Sequence, residues 1–165
     1  GIRLHRYIDA FTDQHELIKE IKSEFRPPLR RYCGILLDLS FDYYLTKHWA
    51  NFNSLELPYF NKSILGTLKN NKELLSIDAR KMHAFFDKSN FLEAFVEWKQ
   101  ISRSAFRVGT RLGAKNPFVE VDNVLVQLDP KLEDAFLTFY PQVIQRSDLF
   151  LSEQGYNRTT ICNKF

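Results

Sequence analysis

The chain has 165 residues, 44% of them hydrophobic, with 15 Phe, 7 Tyr and 2 Trp, enough for one domain around a single aromatic-rich core and too apolar for a disordered chain. A net charge of +3 is too small to argue for nucleic acid by itself. No apolar run approaches the roughly 18 residues of a membrane span, and no signal-peptide pattern opens the chain.

Two cysteines, Cys33 and Cys162, stand far apart without metal-type spacing and read as plain thiols of a reducing, cytoplasmic compartment. The chain opens at Gly1 without a methionine and runs straight into a helical pattern over 2–11. That opening fits a shortened start as well as methionine removal. Within it His5 and Asp9 are spaced i, i+4, with Leu4, Ile8 and Phe11 on a neighbouring face. A helix restart follows, in which Asp13 is expected to cap and Glu16 to reach back as a capping box before Leu17, Ile18 and Ile21. Pro27 and Pro28 end that helix and lead into the next.

The stretch 30–49 is predicted to be one central, uninterrupted helix, apolar on almost every face and therefore buried. Asp38 and Asp42 break its apolar character, one turn apart on one side. Two carboxylates buried among apolar neighbours need a cation, hydrogen-bond donors or a metal. Further helices are expected over 59–68 and 74–87, the latter with Met82 and His83, and a short one capped by Asn90 runs to Trp98. Lys99, Arg103, Arg107, Arg111 and Lys115 then recur at every fourth position with no acid between them, a slanting basic stripe if helical. Gly109 and Gly113 leave Arg111 and Lys115 open to lying on the following loop. Two last helices are expected, 118–128 and 130–151, before a loose tail over 155–165. With no alternating strand pattern, the fold class is all-α, a single helical bundle over 1–154.

His5, Asp9, Asp13, Asp38 and Asp42 form one imidazole and four carboxylates on two stretches able to pair as antiparallel helices. Such a set suits a divalent ion, Mn²⁺, Mg²⁺, Fe²⁺ or Zn²⁺, which would also lower the pKa of a coordinated water. An equally open reading pairs Asp38 and Asp42 with Arg30, Arg31 or Arg6 in a structural network. His15, His48 and His83 have no acid at i±4 and read as ordinary histidines. The basic stripe, taken alone, is a solvated face.

The blocks His5-Arg6-Tyr7-Ile8-Asp9-Ala10-Phe11-Thr12-Asp13 and Arg30-Arg31-Tyr32-Cys33-Gly34-Ile35-Leu36-Leu37-Asp38, then Phe41-Asp42 and Trp49, resemble the acyl carrier protein phosphodiesterase family. The likeness extends through Arg111-Leu112 to Phe139-Tyr140-Pro141. It implies a helical fold related to the HD-domain metal-dependent phosphohydrolases. The implied activity is removal of the 4′-phosphopantetheine arm from holo acyl carrier protein, with manganese the favoured ion. It also implies metal ligation by His5, Asp9, Asp38 and Asp42, with Asp13 as ligand, cap or base, and phosphate contact by Arg30 or Arg31. Members similar to this chain carry an upstream segment with a further histidine and a Gly-Asp pair, and this chain begins after it. The acidic carrier protein gives the stripe from Lys99 to Lys115 a docking role. Two other readings remain: hydrolysis of a nucleotide or other small phosphodiester at an HD-like site, or a non-catalytic module that docks an acidic partner.

Overall fold

Seven α-helices carry the fold of the computed structural model, which describes residues 2–77, 80, 84, 97–112 and 115–156. They are α1 (Ile2–Gln14), α2 (Glu16–Glu24), α3 (Cys33–Lys47), α4 (Trp49–Phe52), α5 (Leu57–Asn70), α6 (Lys99–Gly109) and α7 (Val121–Glu153). Turns of 3₁₀ helix at Leu29–Tyr32 and Lys72–Leu74 link them. Among the described residues there is no strand, and no helix is long and apolar enough to cross a membrane. The expected helices over 74–87 and 90–98 fall largely outside the described residues, as do His83, Cys162 and the tail beyond Tyr156.

The long α7 is the element that the others pack around. Its buried stripe Val121, Leu125, Leu128, Leu132, Ala135, Phe136 and Phe139 recurs at three- and four-residue spacing. This stripe receives α1, α2, α3 and α6. Aromatic contacts tie them down: Tyr7 meets Phe150 with ring centroids 5.0 Å apart, Phe11 stacks on Phe139 at 5.6 Å, and Phe41 meets Phe136 edge-on at 5.4 Å. Fully burying one such large side chain contributes about 1.5–3 kcal/mol.

Two separate helices were expected where α7 is continuous. Pro130 and Pro141 lie inside it, and each removes one backbone rung. Both prolines sit on the exposed side, where water can meet the carbonyls they leave unpaired. The helix ends where Gly155 adopts φ 77°, with the Tyr156 amide donating to the Leu151 carbonyl at 2.9 Å.

The central segment is likewise broken up, with a 3₁₀ turn before α3 and an interruption at His48 before α4. Asp13 does not cap α2. It lies in the last turn of α1, and His15 takes the N-cap position without a side-chain cap bond. The His15 ring is held instead edge-on to Phe11 and Phe139, with Nε2 3.1 Å from Gln142 Oε1. Nor are α1 and α3 a packed antiparallel pair: α1 packs chiefly on α7 and α2, and α3 on α6 and α7.

At the end of α6 the chain folds back so closely that Gly109 has no room for a side chain. A β-carbon there would stand 1.9 Å from Asn116 Oδ1 and 2.8 Å from Phe118 Cδ2. Asn116 is fixed by both ends of its amide, donating to the Phe106 carbonyl and accepting from the Phe118 amide, each at 2.9 Å. Arg111 and Lys115 therefore leave the helical face occupied by Lys99, Arg103 and Arg107.

Candidate functional site

Helix α3 turns Leu36, Leu37, Ser40 and Tyr44 into the core. At 100° per residue, Asp38 and Asp42 fall on the opposite side. Both are exposed, which corrects the expectation of a buried pair: an apolar sequence on almost every face conceals which side meets the other helices. The one polar side chain that α3 does bury, Ser40, is satisfied by donating to the Leu36 carbonyl at 2.8 Å.

Exposure of the residues does not leave the carboxyl groups fully hydrated. Neighbouring protein atoms raise the pKa of Asp42 to about 6, and the charge of Asp38 pushes it the same way. Asp38 is also raised, first by loss of hydration, against a lowering by Lys22 and with a further push from Asp9 and Asp13. The acids of α1 and α3 thus share one electrostatic field although their helices are not a packed pair. His5 Nε2 stands 3.4 Å from Asp9 Oδ2, and Lys22 Nζ stands 3.6 Å from Asp13 Oδ1. Lys22, from α2, was not singled out in the sequence, because no acid flanks it at helical spacing on its own helix.

In kind, four carboxylates and an imidazole suit a hard divalent ion, and their mutual repulsion is what such an ion relieves. As the side chains stand, no three His, Cys, Asp or Glu among the described residues are grouped to hold one. The competing network with arginine does not form. Among the described residues, none of Arg6, Arg30 and Arg31 makes an ion pair with Asp38 or Asp42. Arg30 and Arg31 are exposed on the 3₁₀ turn leading into α3, and the Arg31 guanidinium lies 5.8 Å from the centre of the Tyr32 ring.

A second polar group lies between α3 and α7. The Tyr44 hydroxyl donates to Asp129 Oδ1 at 2.6 Å, and Glu133 Oε1 meets Lys47 Nζ at 2.6 Å and His48 Nε2 at 2.5 Å. The hydrogen bond from Lys47 is the main cause holding the Glu133 carboxyl below its ordinary range. Burial, then the bond to Asp129, raises the Tyr44 hydroxyl. The sequence signal for this group was Asp129 and Glu133 at i, i+4, obscured because the expected break between helices 118–128 and 130–151 left Asp129 outside both.

The basic residues Lys99, Arg103, Arg107, Arg111 and Lys115 are all exposed, and among the described residues none forms an ion pair. Ile101, Ala105 and Gly109 face inward on α6, so its cations point away from the core, as the acids of α3 do. Between Arg103 and Arg107 an open groove of about 350 Å³ is walled by Phe106, Phe118 and Val119. A larger recess, about 1060 Å³, is bordered by Arg26, Leu29, Tyr32, Lys115 and Leu128 and includes none of the five acid-cluster residues. All five residues of the acid cluster are exposed.

The family model described as acyl carrier protein phosphodiesterase matches residues 1–143. Relatives of that name include one from Yersinia pestis, 26% identical over 89% of this chain and 77% of its own length. One from Klebsiella pneumoniae (strain 342) is 28% identical over 90% of this chain and 77% of its own length. Another, from Enterobacter sp. (strain 638), is 44% identical over a shorter span, 36% of this chain and 32% of its own length. No solved structure matches.

Proposed function

The chain belongs to the acyl carrier protein phosphodiesterase family, and from that membership we infer that it hydrolyses the phosphodiester joining 4′-phosphopantetheine to a serine of holo acyl carrier protein. The single observation that carries a site for this reaction is the shared negative field of Asp9, Asp13 and Asp38 across two helices, extended along α3 by Asp42. In the proposed reaction a water oxygen bonds to phosphorus and the bond from phosphorus to the serine oxygen breaks. The serine oxygen gains a proton, and apo carrier protein and 4′-phosphopantetheine are the products.

His5, Asp9, Asp38 and Asp42 are the residues that would hold a divalent ion, with Mn²⁺ the first to try and Mg²⁺, Fe²⁺ or Zn²⁺ the others. Such an ion supplies a more acidic water and neutralises charge on the phosphoryl oxygens. A divalent ion held by Asp42 would favour its ionised form, against the loss of hydration and the Asp38 charge that raise its carboxyl. Asp13 is held by Lys22 and orients the same acidic face. Arg30 and Arg31 supply positive charge at the start of α3 for the non-bridging phosphate oxygens.

For the protein substrate, the cations from Lys99 to Lys115 favour encounter with an acidic partner. The test is intact-mass analysis of holo acyl carrier protein after incubation with the purified chain and each ion. The expected result is loss of the phosphopantetheine mass, abolished in Asp38→Asn and Asp42→Asn. Holo protein left intact under all four ions would overturn the reading.

A further inference from the structure

The recess of about 1060 Å³ has the volume of a small-molecule site, and it borders two places that the proposed reaction assigns to its substrate. It shares Val119 with the groove between Arg103 and Arg107, and Lys115 of the basic stripe lines it. Tyr32 lines it as well, and the Arg31 guanidinium stands 5.8 Å from the centre of that ring. Tyr32 is fixed edge-on to the buried Phe118, with ring centroids 5.6 Å apart, so this wall is braced against the core.

The lining is amphipathic. Leu29, Tyr32, Val124 and Leu128 supply apolar surface, while Asn123 and Gln127, one turn apart on α7, supply exposed amides that both donate and accept. Asn116 also borders the recess, but its amide is already occupied at both ends. Among the charged groups, Glu24 and Lys131 pair with each other at 2.8 Å. That leaves Arg26 and Lys115 against Glu120, and among the described residues neither cation forms an ion pair. Such a lining suits an extended chain that has amide groups, apolar stretches between them and one anionic end.

We propose that this recess binds the 4′-phosphopantetheine arm of the substrate, with the phosphate toward Arg31 and the amides of the arm against Asn123 and Gln127. The inference rests on the substrate proposed above and not on which groups carry out the cleavage. It makes Asn123 and Gln127 residues that select the arm, separately from the cations that meet the carrier protein. Free 4′-phosphopantetheine, a product of the reaction, then occupies the same recess and competes with the holo protein.

The experiment is a calorimetric titration of the wild-type chain and its Asn123→Trp and Gln127→Leu variants with 4′-phosphopantetheine, beside kcat/KM of each for holo acyl carrier protein. Asn123→Trp fills the recess and Gln127→Leu removes one amide at similar size; both positions are exposed, so melting temperatures should stay at the wild-type value. Saturable binding to the wild type is expected, weakened roughly tenfold or more in Asn123→Trp and roughly threefold in Gln127→Leu, with kcat/KM falling in the same order. Equal affinity in all three proteins, or no saturable binding to the wild type, overturns the proposal. Hydrolysis of holo protein at equal kcat/KM by all three also overturns it, while leaving the reaction standing. Holo protein left intact by the wild type overturns the reaction, and the assignment of the recess to its substrate with it.

Discussion

Asp42 stands one helical turn beyond Asp38 on α3, and the charge of Asp38 adds to the loss of hydration that raises the Asp42 carboxyl to about pH 6. The unfolded side chain releases its proton at 3.8. Between those values the folded protein binds more protons than the unfolded chain, so stability falls as pH rises through this window and levels off above about 6. Asp42→Asn removes the ionised, repelled form. It should therefore stabilise the fold at pH 7.5 by on the order of 1 kcal/mol after discounting for solvent screening at an exposed residue, while abolishing hydrolysis. Urea denaturation of both proteins at pH 4 and pH 7.5 checks this, with the difference expected only at the higher pH.

Gly109→Ala should destabilise strongly for a single methyl group. The new β-carbon would displace Asn116, which links the Phe106 carbonyl to the Phe118 amide, and Phe118 is a core residue 1% exposed. Overpacking together with loss of one or both bonds costs about 2–4 kcal/mol. Thermal melting should show the loss, and Asn116→Ala alone should show a smaller one.

How far the sequence could be read follows from where each signal lies. His5 with Asp9, and Asp38 with Asp42, are spaced within one helix, so their shared faces were legible without knowing the fold. Lys22 was not legible, because both its acidic partners belong to other helices and only packing brings them near. The exposure of Asp38 and Asp42 was misread because the half-buried Ile35, Leu39, Phe41 and Leu45 on the flanks of α3 extend its apolar character well beyond the core side, leaving the two acids only a narrow exposed strip. The continuity of α7 was hidden by Pro130, which starts a new helix in most settings but is tolerated inside one on a solvent-facing side. Conversely, Gly109 and Gly113 left Arg111 and Lys115 open to lying on the loop, and the helix does end at Gly109.

Tyr44→Phe tests the polar group between α3 and α7. The hydroxyl donates to a carboxylate at 2.6 Å from a ring that is fully buried, and a hydrogen bond to a charged group contributes about 1.5–3 kcal/mol. A loss in that range is expected in chemical denaturation at neutral pH. Glu133→Gln should cost less, because its partners Lys47 and His48 keep access to water. The Glu133 carboxyl titrates below its ordinary value of 4.5. Its stabilising contribution is thus present above that pH and disappears as pH falls through the folded value, the opposite slope from Asp42.

Charge reversal on α6 separates encounter from chemistry. Arg103 and Arg107 are exposed and flank the groove walled by Phe106 and Val119, while Ile101 and Ala105 on the inward side hold the helix in place. Arg103→Glu with Arg107→Glu should therefore fold normally, with an unchanged melting temperature. For an acidic protein substrate the pair should raise KM about tenfold at low salt, leave kcat within about twofold, and flatten the dependence of kcat/KM on ionic strength, since surface charges act mainly on association and are screened by salt. A small phosphodiester should be cleaved equally by wild type and variant. Equal kcat/KM for the carrier protein at every salt concentration would place docking on another face. Parallel loss of kcat on both substrates would mean that the cations act on the chemical step.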